Sequence, residues 1–178
     1  MIRLFDIFFS LIGLFFLFPV LILLWIIGFF ENGSPMYKQM RVGINQYPFL
    51  LLKFRTMRRN TLLVATHLID NKAITPYGNF LRRTKLDEIP QLLNVLSGDM
   101  SLVGPRPCLL NQRRLIKERK KRGVFKVKPG ITGLAQISGV NMKTPTLLSK
   151  TDFKMIKKMN LFYYFYYIFK TILQILKK

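Results

Sequence analysis

The sequence is poor in the residues on which much enzyme chemistry depends. Of its 178 residues, one is cysteine and one is histidine. The single thiol, Cys108, excludes an internal disulfide framework and a cysteine-rich zinc site. The single imidazole, His67, argues against a histidine-based triad or metal cluster, so any catalysis must lean on carboxylates and cations. Carboxylates are scarce as well: eight Asp and Glu stand against 29 Lys and Arg, for a formal net charge of +21. There is no internal repeat and no low-complexity tract. Disorder is excluded, because an apolar fraction of 50% supplies ample core-forming residues.

Charge is also missing from one end. Residues 1–30 hold only Arg3 and Asp6, so residues 31–178 carry the whole +21. The chain therefore divides into an apolar head, 1–30, and a cationic body, 31–178, the usual size of one domain. From Ile7 to Phe30 no residue is charged. At about 1.5 Å per helical residue this run is long enough for a hydrocarbon core of roughly 30 Å. A cleaved signal peptide is the competing reading, but Arg3 is offset by Asp6 and no small-x-small cleavage site precedes Glu31. Pro19 lies near the middle of the run and is expected to kink or break the helix. Both a kinked spanning helix and a re-entrant one satisfy that pattern. In either case Lys38, Arg41, Lys53, Arg55, Arg58 and Arg59 follow closely and place the body on the cytoplasmic side.

In the body, Tyr37, Met40 and Val42 before Gly43-Ile44-Asn45, and Phe49 to Leu52 with Phe54 after it, predict a β-hairpin. Residues 58–79 read as a polar loop. In TKLDEIPQLLNVLSGD, Ile89, Leu92, Leu93 and Leu96 fall at helical spacing, with Pro90 in the first turn and Gly98 as the stop, which puts Asp87 and Glu88 at the helix N-terminus. Arg106 sits in a rigid loop between Pro105 and Pro107. Leu109 to Arg122 reads as a basic helix, and VKPGITGLAQISG as a glycine-rich loop around a short strand. Thr151 to Lys178 reads as one helix whose FYYFYYIF run is either an interfacial anchor or core.

In so acid-poor a chain the adjacent Asp87 and Glu88 stand out. Two acids at a helix start can simply complement the dipole. Arg82, Arg83 and Lys85 just before them, and Arg106 just after, suit a second role. A carboxylate that attacks a diphosphate meets like-charge repulsion, which arginines and a divalent metal offset.

The segments KFRTM (53–57), LRRTKLDEIPQLLNVLSGDMSLVGPRP (81–107) and KPGITGLAQISG (128–139) resemble the bacterial sugar transferase family. These are the monotopic polyprenyl-phosphate phosphoglycosyl transferases, here in their small single-domain form. The likeness runs from FDIFFSLIGLFFLFPVLILL in the head to the last helix. It implies transfer of a sugar 1-phosphate from a UDP-sugar to polyprenyl (undecaprenyl) phosphate, with release of UMP, as the first step of lipid-linked glycan assembly. By that resemblance Asp87 matches the nucleophile of a phosphosugar-aspartate intermediate, and Glu88 its dyad partner. Both are candidate ligands for magnesium, the family's cofactor. Arg82 and Arg106 match phosphate-binding positions, with Lys53 and Asp152 as supporting residues. The head matches a re-entrant helix broken at Pro19, in the bacterial cytoplasmic membrane, with the catalytic domain in the cytoplasm.

The implied fold class is α+β, mostly α: a membrane-embedded re-entrant helix, then a small catalytic domain with amphipathic interfacial helices and a short β-hairpin. The implied partners are the two substrates and anionic lipid, not nucleic acid, with downstream glycosyltransferases or a second copy of the chain left open. Three departures bear on detail. Phe18 stands where many members have serine before the proline. Gly139-Val140-Asn141 stands where many have GRN, so an arginine often assigned to the site is absent. GVNMKTPTLLSKTDF resembles the branch with a GIDMSTP-like segment, which tends to use N-acetylated amino or deoxyamino sugars. The chain is expected to lack the extra membrane helices of larger relatives and any fused acetyltransferase or aminotransferase. The alternatives are a hexose (glucose or galactose) 1-phosphate transferase and a non-enzymatic basic membrane-bound module that binds anions through charge.

Overall fold

A computed structural model describes residues 1–59 and 73–177. The charge-free head forms helix α1 (Ile2–Asn32), closed by Gly33 in the left-handed conformation, whose N–H reaches the Phe29 carbonyl at 2.7 Å. By length and composition α1 can cross a membrane, and only 11% of its most apolar window is buried. It is therefore not the core helix of a soluble domain. Of the kink or break expected at Pro19, α1 shows no break and runs through it without interruption. Proline withholds one N–H from the ladder, and the helix has buried residues on both sides of it. Asp6 and Ser10 are buried before the proline, and Leu24 and Gly28 after it.

The two charges of the head are what fasten it. Arg3 donates through Nη1 to the Val95 carbonyl and through Nη2 to that of Leu96 at 2.8 Å. Asp6 is buried, and its Oδ1 accepts from Ser101 Oγ (3.0 Å), the Leu102 N–H (2.9 Å) and the Tyr164 hydroxyl (2.9 Å). At the far end the Tyr77 hydroxyl donates to the Leu24 carbonyl at 2.6 Å, and Thr75 Oγ1 to Glu31 Oε2 at 3.1 Å.

Strands β1 (Met36–Val42) and β2 (Pro48–Phe54) form the predicted hairpin, with Tyr37 opposite Lys53 and Arg41 opposite Phe49. Of the polar loop expected over 58–79, residues 60–72 lie outside the described residues, and the last part is helix α2 (Pro76–Thr84). Thr75 and Pro76 fall within the expected loop, yet they start this helix: Thr75 Oγ1 caps the Gly78 N–H at 2.9 Å, and proline is preorganised for a first turn. Gly78 packs so closely on the Thr56 carbonyl that a Cβ there would lie 2.0 Å from its oxygen.

Asp87 and Glu88 do not begin an α-helix. They occupy a 3₁₀ turn, Leu86–Glu88, entered through Lys85 in the left-handed conformation (φ 63°), and helix α3 (Gln91–Ser97) follows. Pro90 is its cap residue, because its missing N–H cannot carry the ladder further back. Gly98 (φ 94°) ends α3 as expected. Strand β3 (Ser101–Val103) pairs in parallel with β4 (Gly130–Thr132). Between them, α4 (Arg113–Lys121) is the basic helix, which starts four residues later than expected. The short α5 (Leu134–Ile137) follows β4. The single helix expected from Thr151 is two, α6 (Pro145–Lys158) and α7 (Leu161–Leu176), because Asn160 leaves helical geometry and its side chain caps the Tyr163 N–H at 2.9 Å. The aromatic run of α7 is shared between both expected roles. Tyr164 and Tyr167 are buried with Val103 and Met155, while Phe162, Phe169 and Leu176 are exposed.

Candidate active site

A cleft of about 510 Å³ opens where the end of β2, the Asp87 turn, the Arg106 loop and the segment after α5 converge. Two carboxylates, Asp87 and Glu88, and six cations, Arg41, Lys53, Arg82, Lys85, Arg106 and Lys143, line it. The remaining wall is largely apolar, including Ala135, Val140, Met142 and Leu148, with the amides of Gln91, Gln136 and Asn141.

The charged groups converge from several elements. Arg106 Nη2 pairs with Glu88 Oε1 at 2.5 Å, which joins the proline loop to the 3₁₀ turn. Arg82, on the last turn of α2, donates from Nε to Thr56 Oγ1 at 2.9 Å. Lys53 leaves β2 beside the Tyr37 ring, 5.2 Å from its centroid, in the cation–π arrangement that cross-strand pairing allows. Arg41 donates to the Pro107 carbonyl at 3.3 Å and to Gln39 Oε1 at 2.7 Å.

The two adjacent acids titrate differently because their surroundings differ. Burial, and then the charge of Glu88, pushes the Asp87 carboxyl up to about 6, against the pull of Lys53, Lys85 and Arg106. Burial acts on Glu88 in the same sense, but the Arg106 charge and hydrogen bond, with Lys85, outweigh it and hold Glu88 below the usual glutamate value. Burial and the neighbouring Arg41 push Lys53 down to about 8, with Asp87 opposing. Arg41 is pushed down to about 10, by burial first and Arg106 second, and stays cationic at neutral pH. The cleft thus holds an Asp87 that is ionised at pH 7 but weakly solvated, beside a lysine that is still mostly protonated.

Of the residues singled out in the sequence, Asp87, Glu88, Arg82, Arg106 and Lys53 meet in this cleft. Asp152 does not line it. It is fully buried on α6, where its Oδ2 accepts from Arg119 Nε at 3.0 Å and pairs with Nη2 at 2.8 Å. Pro19 lies on α1, outside the cleft. Lys85, noted beside the acids in the sequence, joins them in the cleft, whereas Arg41 and Lys143 are not among the candidates, because chain reversals far apart in sequence bring them there.

The donor set fits magnesium in one respect. Among the described residues no group of three or more Asp, Glu, His or Cys exists that could cage a metal. Magnesium, however, is usually held by one or two carboxylates together with substrate phosphates and water. Asp87 and Glu88 supply the former, and Glu88 already shares its charge with Arg106.

Curated relatives of the chain include sugar transferases. The chain is 49% identical over 110 residues to the uncharacterized sugar transferase EpsL of Bacillus subtilis (strain 168), covering 61% of this chain and 54% of that one. It is 45% identical over 121 residues to the UDP-glucose:undecaprenyl-phosphate glucose-1-phosphate transferase of Escherichia coli (strain K12), covering 65% of this chain and 26% of that one. It is 40% identical over 146 residues to the galactosyl transferase CpsE of Streptococcus agalactiae serotype III (strain NEM316), covering 75% of this chain and 31% of that one. The matches therefore span about half of the first relative and under a third of the other two. The family description "bacterial sugar transferase" matches residues 1–178. The chain belongs to the bacterial sugar transferase family.

Proposed function

We propose that this protein transfers a sugar 1-phosphate from a UDP-sugar to polyprenyl phosphate and releases UMP. The observation that carries this is a carboxylate pair set among six cations in one cleft, in a chain related to a UDP-glucose:undecaprenyl-phosphate glucose-1-phosphate transferase. An Asp87 oxygen attacks the phosphorus that bears the sugar, the bond from that phosphorus to the UMP oxygen breaks, and UMP leaves with the negative charge. A phosphate oxygen of the polyprenyl phosphate then attacks the same phosphorus and expels the Asp87 carboxylate. Splitting one exchange into two displacements is the advantage of a covalent route. Burial leaves Asp87 poorly solvated and reactive, and Lys53, Arg82 and Arg106 offset the repulsion between it and the diphosphate. Glu88 holds Arg106 in place. Magnesium, held by Asp87 and Glu88 together with the donor phosphates, would supply further charge neutralisation.

For the sugar, we propose an N-acetylated amino or deoxyamino donor. The first part of the segment that carried the branch resemblance, Gly139 to Lys143 of residues 139–153, forms a cleft wall, and Val140 and Met142 give it apolar surface for a methyl group. A hexose donor is the second reading, favoured by the names of the relatives from Escherichia coli and Streptococcus agalactiae. For the membrane, the exposed apolar side of α1 lies in one leaflet. Residues 3–6 and 24–31 are bonded to the same cationic body, so both ends of α1 stay on the body's side, facing the cytoplasm and its anionic lipid.

A UMP-release assay across UDP-sugars with undecaprenyl phosphate tests the reaction and the donor together. Asp87→Asn should abolish release from every donor while membrane association persists, and a chelator should do the same until magnesium is restored. Turnover by purified Asp87→Asn would remove Asp87 as the nucleophile.

A further inference from the structure

The Arg106 guanidinium is supported from the side-chain end by Glu88 and remains 44% exposed. Its aim is therefore shared between that pair and its backbone. That backbone is bonded at five consecutive carbonyls. Gly104 accepts from Gln136 Nε2 (3.4 Å), Pro105 from the Gly130 N–H (2.9 Å), Arg106 from Arg119 Nη1 (2.8 Å), Pro107 from Arg41 Nη1 (3.3 Å) and Cys108 from the Val42 N–H (3.0 Å). The shortest of the five falls on Arg106 itself and comes from a side chain.

That side chain carries a cost. Arg119 is 2% exposed and Asp152 not at all, so the protein buries a full ion pair between α4 and α6. Such a pair rarely stabilises a fold more than apolar residues of similar size do. The fork geometry of arginine lets Arg119 meet Asp152 with Nε and Nη2 while Nη1 reaches the Arg106 carbonyl. Asp152 fixes the guanidinium, and the guanidinium fixes the loop.

We infer that Arg119 is a positioning residue for Arg106, held in register by Asp152, so that the buried pair aims the Arg106 guanidinium at Glu88 and the cleft. This rests on the proposed function for the role of Arg106 itself. It also gives Asp152 a role in the site although it does not line the cleft.

Removing Arg119 alone leaves Asp152 buried without a partner and can prevent folding, so the test uses Arg119→Met/Asp152→Leu, which removes both charges. Arg119→Lys, which keeps the charge on Asp152 but loses the fork, is the second variant. In the UMP-release assay the paired change should lower kcat/KM by roughly tenfold or more. Placed on Arg106→Ala, the same change should cost less than about twofold, since there is no guanidinium left to aim. Equal losses in both backgrounds, or no loss in either, would overturn the inference in favour of a structural pair. Hydrogen exchange supplies a readout independent of turnover: residues 104–109 should exchange faster in the paired variant or in Arg119→Lys than in the parent protein. Unchanged exchange overturns the inference whatever the enzyme does. Absence of UMP release from the parent protein with every donor would instead sink the proposed function and leave the exchange result to decide the positioning role.

Discussion

Asp87→Asn should make the protein more stable at neutral pH while it destroys the proposed activity. Asp87 is 7% exposed, and its carboxyl is raised from 3.8 to about 6, by burial first and Glu88 second. Between those two values the folded chain keeps a proton that the unfolded chain has released. Unfolding therefore becomes easier as pH rises through that window. A shift of about two units at 1.36 kcal/mol each gives a penalty of about 3 kcal/mol, complete above pH 6 or so and absent well below pH 4. Asparagine never ionises and escapes it. Part of the gain is returned, because Lys53 loses the negative charge that favours its ammonium form. A net of about 1 to 3 kcal/mol remains, which for a chain of this size raises Tm by roughly 3 to 10 °C. Thermal unfolding in detergent, without phosphate or metal, at pH 7.5 and at pH 4 provides the assay. The gain should appear at pH 7.5 and shrink below about 1 kcal/mol at pH 4. A lower Tm for Asp87→Asn at pH 7.5, or an equal gain at both pH values, would refute the assignment of a strained, ionised Asp87.

Lys53, at about 8, should set an alkaline limb in the pH profile of kcat/KM, since deprotonation removes a cation from the cleft, with the acid limb at about 6 from Asp87. Lys53→Arg should push the alkaline limb out of range and leave the acid one. Lys53→Met should move the acid limb up and lower kcat/KM by about 10- to 100-fold, the worth of a hydrogen bond to charge; an alkaline limb still at 8 in Lys53→Arg would exclude Lys53 as its source. At the head, Asp6→Ala leaves the donors of Ser101, Leu102 and Tyr164 without their shared acceptor. At about 1 to 3 kcal/mol for each buried unpaired group the loss should exceed about 3 kcal/mol, and thermal unfolding within about 1 kcal/mol of the parent would show that Asp6 does not fasten α1.

What could be read from the sequence followed the range of the interactions involved. The hairpin was legible because strand alternation and a turn are local, and the Gly98 stop because a left-handed cap is chemically specific. Asp87 and Glu88 stood out by scarcity, yet their backbone was misjudged. Apolar spacing from Ile89 onward suggested a helix that began too early, and nothing local reveals that Lys85 turns left-handed to make a 3₁₀ turn. Thr75 and Pro76 were read as loop although threonine before proline is also a helix start. Asn160, two residues before the aromatic run, divides α6 from α7 with its side chain, and a single Asn between two helical patterns does not announce that break. Arg41 is illegible as part of the site, because it reaches the Arg106 loop from a strand distant in the chain, and Arg119, although only 13 residues on, because nothing local shows that its helix turns it back onto the Arg106 carbonyl.

The scarcity of acid has a structural counterpart. Among the described residues each acid outside the cleft has a duty of its own. Asp6 joins α1 to β3 and α7, and Asp152 holds Arg119. Glu31 accepts from Thr75, Asp99 from Ser97, and Glu118 pairs with Arg122 at 2.6 Å. None of these lines the cleft, where among the described residues Asp87 and Glu88 are the acids beside the six cations. Glu88 is committed to Arg106. The cluster therefore keeps an excess of positive charge that raises its own folding cost; burial first, and the neighbouring arginines second, lower Lys53 and Arg41. Under the proposed function that excess is relieved when the donor's dianionic diphosphate enters, so the energy withheld from folding becomes available for binding it. An added acid on the cleft wall, for example at Val140, would stabilise the empty protein by the same electrostatics that would weaken its hold on the donor.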